Sequence, residues 1–250
     1  MRLRSVKNRR DFIMHSGVFC VGLAVPLVSE ISAEGILDPQ NGKKETKGKK
    51  EAKGKKEEEI SRAEDLMREH GVLNRILLIY EEHARRLDST EDFDPPALMK
   101  AADIIRRFVE DYHEKLEEDY LFARFRKAGK LADLVEILSQ QHQAGRRLTG
   151  KIQHLAAAST LKDEIKRHEL SDVLRSFVRM YRPHEAREDT VLFPALRGII
   201  SKNEYDSLGD EFEKKEDELF GEDGFFKVVD QVADLEKKLG IYDLSKFTPK

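Results

Sequence analysis

The sequence is almost free of cysteine: Cys20 is the single one among 250 residues. This shortage excludes disulfide scaffolds, zinc sites built on cysteine and thiolate-bound iron–sulfur clusters. A strong charge of one sign is also absent, because 45 lysines and arginines oppose 48 aspartates and glutamates, for a formal net charge of −3. Without an overall basic field, no nucleic-acid partner is predicted. Any bound metal must therefore rely on histidine, aspartate and glutamate.

Residues 1–33 have the composition of an export signal. A basic start is followed by a mostly apolar run from Phe12 to Val28 and a small-residue end near Ala33. The Arg9-Arg10 pair resembles a twin-arginine signal, which implies export of the folded chain to the periplasm. The apolar run is shorter than a spanning helix needs. We therefore predict cleavage near Ala33 and no membrane span afterwards; an uncleaved anchor and an ordinary amphipathic start are the alternatives.

Residues 34–59 form a predicted linker. Units of Gly-Lys-Lys-Glu recur between Gly42 and Glu59, and no apolar residue longer than alanine occurs there. Such a segment cannot bury a core. It is expected to be a solvated tether, with a contact to anionic lipid as the less favoured alternative.

From Ile60 onward, apolar residues recur at intervals of three and four, which is typical of amphipathic helices. Breaks at Asp94-Pro95-Pro96, Gly129 and Gly198, and between residues 156 and 162, divide the pattern. The predicted fold is all-α: an up-and-down four-helix bundle over residues 60–198, with a C-terminal helical extension over residues 199–250. The apolar end of the chain is expected to pack back on the bundle.

The two halves of the predicted bundle repeat one another. A lone histidine is followed about 43 residues later by a His-Glu-x-x-Glu-acid-x-x-Leu-Phe segment, and this happens twice. Such a duplicated two-helix unit, folded about a pseudo-twofold axis, would bring both sets of histidines to the bundle centre. The six residues in question are His70, His113, Glu117, His142, His184 and Glu188.

This pattern favours a metal site. Residues four apart lie on one face of a helix, so each paired histidine and glutamate point to the same place. One such pair alone is typical of a solvated surface, but two equivalent pairs with a further histidine each are not. Buried carboxylates demand compensation, which a pair of dications would supply. Imidazole and carboxylate ligands suit iron, manganese or zinc.

On these residues the chain resembles hemerythrin-like, HHE cation-binding domains over residues 61–198. The resemblance implies two non-haem iron ions, held by the four histidines and bridged by Glu117 and Glu188, with dioxygen as the ligand. One departure concerns the second histidine that oxygen carriers have on the third helix, because Arg146 stands at that position. Glu114 and Glu185 are candidates for the missing ligand, although a residue next to a histidine points about 100° away from it.

The other residues near the motifs are expected to have structural roles. Arg146 is expected to be an exposed surface residue, with a pairing to a spare acid as the alternative. His83 and His154 are expected on the surface, since they are rotated away from the ligand face. Tyr181 is expected to serve core packing, with a hydrogen bond to a ligand as the alternative.

Binding or sensing of dioxygen is the function that these residues favour. The alternatives are an enzyme with the same centre, acting as a ferroxidase or on peroxide or nitric oxide, and a structural or mononuclear zinc bundle. Open coordination positions serve carriage and catalysis alike. A small molecule is the predicted partner in the first two cases.

Overall fold

The computed structural model describes residues 62–89, 91 and 94–249, and most of these residues are helical. The predicted signal (1–33) and linker (34–59) lie outside the described residues. Four long helices form the bundle. Helix α1 is Arg62–Ser89, α2 covers residues 95–128, α3 is Ala132–Leu155, and α4 covers residues 164–196. The predicted all-α bundle is confirmed.

The residues that the sequence marked as breaks end and start these helices. The Asp94 side chain accepts a hydrogen bond from the Ala97 backbone N–H at 3.0 Å, and two prolines occupy the first turn of α2. Gly129 ends α2 in the left-handed conformation, with φ of 62°. Asp163 caps the start of α4 in the same way as Asp94 caps α2.

Helices α2 and α4 are not uniform. Both widen from α-helical to π-helical hydrogen bonding around the His-x-x-x-Glu motifs, and π-helical turns inside α-helices are frequently found at functional sites. In α2 the α-helical parts are Pro95–Ile104, Glu114–Leu116 and Ala123–Ala128, and the π-helical parts are Ile105–His113 and Glu117–Phe122. In α4 they are Glu164–Arg187 and Phe193–Leu196, with a π-helical part at Glu188–Leu192.

Two further helices follow the bundle: α5 is Lys202–Phe220 and α6 is Gly224–Leu239. Helix α6 packs against α1 and buries Val232, Leu235 and Leu239. The Glu236 carboxylate accepts two hydrogen bonds from the Arg75 guanidinium, at 2.9 and 2.6 Å. Within the described residues, no helix is both long and apolar enough to cross a membrane.

The end of the chain differs from expectation. Ile241 packs against the core, but Tyr242, Leu244 and Phe247 are each at least half exposed, so the prediction that this apolar segment packs back on the bundle is wrong for most of its length. A 3-10 turn at Leu244–Phe247 is held locally instead, because the Asp243 side chain accepts from the Ser245 N–H.

Candidate metal centre

The four predicted histidines meet in two pairs at the centre of the bundle. The Nε2 atoms of His70, on α1, and His113, on α2, are 3.0 Å apart. Those of His142, on α3, and His184, on α4, are 3.2 Å apart. All four side chains are at most 3% exposed. The repeat thus places one histidine pair in each half, as the sequence predicts.

The two predicted glutamates lie between these pairs. Glu117 has one oxygen 3.5 Å from His113 Nε2 and the other 3.4 Å from His142 Nε2. Glu188 Oε2 is 3.4 Å from His70 Nε2 and 3.2 Å from His184 Nε2. Each carboxylate therefore faces histidines of both halves, which is the arrangement that a bridging ligand requires.

The donor atoms fit a pair of metal ions. None of the four oxygens of Glu117 and Glu188 has a hydrogen-bond partner among the residues that the structure describes, although both carboxylates are fully buried. The two Nε2 atoms of each histidine pair, 3.0 and 3.2 Å apart, are close enough to bind one ion together. Groups that could hold a metal ion include Glu117-His142-His184-Glu188 and His70-His113-Glu117.

In each of these four histidines, Nδ1 donates a hydrogen bond to a side-chain oxygen that lies outside the centre. This bond fixes the ring and turns Nε2 toward the centre. The pairs are His70 with Asp189 at 2.8 Å, His113 with Glu69 at 2.8 Å, His142 with Glu118 at 3.1 Å, and His184 with Gln141 at 2.9 Å.

No role was predicted from the sequence for these four residues, although each is adjacent in sequence to a predicted ligand. Glu69 and Gln141 directly precede the lone histidines, whereas Glu118 and Asp189 directly follow the bridging glutamates. The last two belong to the repeated motif as its acidic position. Their function becomes visible only when the helices are side by side.

Aromatic rings close the centre toward the ends of α2 and α4. Phe193 stacks on His70, with ring centroids 5.5 Å apart, and Phe122 stacks on His142 at 5.3 Å. Both phenylalanines are fully buried. The Leu-Phe ending of each repeat therefore supplies an apolar wall that keeps water from the imidazoles.

Glu114, a possible additional ligand, is buried in a polar network beside the centre. It accepts a hydrogen bond from the Tyr181 hydroxyl at 2.7 Å and forms an ion pair with Arg146 at 2.8 Å. Arg146 also contacts Glu118 at 2.8 Å. The prediction of an exposed surface arginine is therefore wrong, because two acids draw the guanidinium inward. Tyr181 belongs to the core as predicted, and Gly145 leaves room for its hydroxyl.

Glu185, the other possible ligand, is buried near Asn74 but belongs to no candidate metal group within the described part of the chain. Burial raises its pKa to about 7. By contrast, Glu114 is near enough to Glu118 and His142 to form a third candidate group with them.

The charges of the centre shift the pKa values of its members. Burial alone would lower the pKa of His70, but Asp189 and Glu188 outweigh it and raise that pKa to about 9. In the same way, burial is outweighed at His142, where three neighbouring glutamates raise the pKa to about 10. Burial would raise the pKa of Glu117, yet the adjacent histidines hold it below its ordinary value. The carboxylates thus demand a cation, whether proton or metal.

His154 and His83, which lie outside the centre, differ in exposure. His154 is exposed, as predicted. The surface prediction for His83 is wrong: it is fully buried, and its Nδ1 is 2.8 Å from the Ile79 carbonyl oxygen. Asp94, at the start of α2, lies near its ring, and the position of this neighbouring segment could not be foreseen from rotation about α1 alone.

Comparison with known proteins agrees with this geometry. Residues 61–160 and 133–240 match the family model described as the hemerythrin HHE cation binding domain. Uncharacterized proteins of Mycobacterium tuberculosis and Mycobacterium bovis are 52% identical over 182 residues, which is 73% of this chain and 71% of each relative. No solved structure matches. With its buried histidine and glutamate cluster inside an all-helical bundle, the chain belongs to the hemerythrin HHE cation-binding domain family.

Proposed function

We propose that the protein binds two iron ions at the centre and uses them to bind or sense dioxygen. The observation that carries the proposal is the position of Glu117 and Glu188 between two histidine pairs. Metal position 1 would be held by His70 and His113, and metal position 2 by His142 and His184. Each position would share both carboxylates.

The residues of the chain would divide the work of such a centre. Two imidazoles and two carboxylate oxygens give each position four protein ligands, which leaves coordination positions open. A reduced iron pair would supply the electrons that dioxygen binding needs. The histidines orient the ions, the outer carboxylates fix the imidazoles, and the stacked phenylalanines keep bulk water away.

A second candidate function is turnover of peroxide, and the Tyr181–Glu114 hydrogen bond favours it. The Tyr181 ring lies beside His184, with centroids 5.4 Å apart, and its hydroxyl is buried. A buried protic group next to the centre could deliver a proton to a bound molecule. We rank it second because binding of dioxygen needs only the ligand arrangement itself.

Metal analysis and rapid mixing test these proposals. Purified protein should contain about two iron ions per chain, and the reduced protein should form an oxygen adduct that reverses under vacuum. Zinc in place of iron, or one ion per chain, would contradict the dinuclear iron centre. Rapid consumption of peroxide that falls in Tyr181→Phe, with no reversible adduct, would favour the enzyme.

We also propose that the protein is exported by the twin-arginine route. This rests on the sequence of residues 1–33 alone. Replacing Arg9 and Arg10 by lysine should leave precursor in the cytoplasm, whereas unchanged periplasmic accumulation would remove the proposal. A lysine replacement at Arg2 is the matched control, because it lies outside the arginine pair.

A further inference from the structure

The two metal positions differ in the side chains behind their histidines. Both histidines of position 1 donate from Nδ1 to a carboxylate, on Asp189 and Glu69. In position 2, His142 faces Glu118 but His184 faces the amide oxygen of Gln141. Gln141 occupies the place in the repeat that Glu69 holds in the first half. One negative charge is therefore missing behind position 2.

This difference matters for metal affinity. A carboxylate that accepts the Nδ1–H makes the imidazole more basic and strengthens its bond to the metal, and loss of such a partner typically costs 10–100-fold in affinity. A neutral amide orients the ring but adds no charge.

A second, independent difference acts in the same direction. Glu118, the single outer carboxylate of position 2, also pairs with Arg146 at 2.8 Å and with Lys115 at 2.5 Å. The equivalent of Arg146 in the first half is the uncharged Asn74, whose amide donates to the His70 carbonyl oxygen at 3.1 Å. Arg146 is shared with the buried Glu114, and its pairing with Glu118 weakens the support that this carboxylate gives to His142.

We infer that the two positions are unequal and that position 1 fills first and holds its metal more tightly. Gln141 and Arg146 determine the difference, without contributing a ligand. The inference rests on the proposed dinuclear centre, and its test is chosen so that each can fail separately.

The test is an anaerobic calorimetric titration of the metal-free full chain with Co²⁺, followed also by the visible spectrum of the bound ion. Two steps are expected, with dissociation constants that differ by about 10-fold or more. His113→Ala should remove the tighter step, whereas His184→Ala should remove the weaker step and leave the tighter one. Two steps of equal affinity, or loss of the tighter step in His184→Ala, would overturn the inference while leaving the dinuclear proposal intact. The absence of any binding would overturn both.

Exchange of the outer residues tests the cause. Gln141→Glu should tighten the weaker step by about 10-fold, and Glu69→Gln should weaken the tighter step by 10–100-fold. Gln140→Glu is the matched control, because it adds the same charge one residue away on the exposed face of α3. It should leave both steps unchanged. An equal effect of Gln140→Glu and Gln141→Glu would show that general charge, and not the partner of His184, sets the affinity.

Thermal unfolding of each metal-free variant shows whether the variant still folds. An amide and a carboxylate have nearly the same shape, so the folded state should persist in Gln141→Glu and Glu69→Gln. If Glu69→Gln fails to fold, the gain in Gln141→Glu and the unchanged steps of Gln140→Glu still decide the question.

Discussion

Each histidine of the centre uses its two ring nitrogens differently. Nδ1 is bonded to an outer oxygen, and Nε2 is directed to the place where Glu117 and Glu188 meet. Because a carboxylate or amide oxygen only accepts, the neutral imidazole keeps its proton on Nδ1 and offers the Nε2 lone pair to a metal. Glu117 and Glu188 are the residues that face histidines of both halves.

At this scale we predict that Glu117→Gln disturbs both metal positions. A neutral amide is a poor bridge, and two adjacent cations then lose shared charge compensation. Metal content should fall from about two ions per chain to fewer than one. His142→Ala should instead remove chiefly one ion, since a terminal imidazole serves one position.

Elemental analysis after dialysis measures this difference, and Glu136→Gln is the control. Glu136 is a carboxylate on the exposed face of α3. Two retained ions in Glu117→Gln, with an unchanged spectrum, would mean that this carboxylate does not bridge.

The sequence predicts the inner residues better than the outer ones. His113 with Glu117, and His184 with Glu188, are adjacent on one helix face, so spacing alone groups them. The bond between His70 and Asp189 joins residues 119 apart, and no local rule relates them. The exposure of Arg146 was predicted wrongly for the same reason, because the two glutamates that it pairs with lie on another helix.

Among the elements, α4 packs the side chain of Tyr181 against α3 at Gly145. A Cβ atom at this position would lie 1.9 Å from the Tyr181 hydroxyl oxygen. Tyr181 cannot easily move, since it is buried between Phe177 and His184 and donates to Glu114. The small residue therefore sets the spacing of the two helices beside the centre.

We predict that Gly145→Ala lowers the free energy of unfolding by roughly 1–3 kcal/mol, the usual range for overpacking a buried contact. Gly150→Ala, on the same helix, is the control: it is exposed, and its nearest atom would be 3.9 Å away. That change should stabilise by up to about 1 kcal/mol, because alanine is the better helix former. Urea unfolding compares them, and equal effects would contradict the tight contact.

Helix ends were predictable, but the π-helical turns were not. Prolines, glycines and capping aspartates stop or start helices through local chemistry. A π-helical turn depends instead on packing between helices, and the sequence around Glu110 and His113 carries no local signal for it.

For the whole molecule, the centre links stability to pH. The pKa values of His70 and His142 are raised to about 9 and about 10, against an ordinary value of 6.5. The folded chain therefore binds these protons more tightly than the unfolded chain. Their stabilising effect is complete below about pH 6.5 and is lost as the pH rises through 9 and 10.

We predict that the metal-free protein loses roughly 2 kcal/mol or more of its free energy of unfolding between pH 7 and pH 10. The metal-loaded protein should lose less, because its imidazoles are already deprotonated. Urea unfolding at both pH values measures the two losses. Equal losses with and without metal would show that the centre is not the source.

The covalent joining of the two repeats has a consequence for how such a centre diverges. Asp189 in the second half holds His70 in the first, and Glu118 in the first half holds His142 in the second. Two separate copies of one half could form the same ring of ligands, but every substitution would then be made twice. Fusion lets one copy change alone. Gln141 opposite Glu69, and Arg146 opposite Asn74, are differences that a symmetric dimer of identical chains could never acquire.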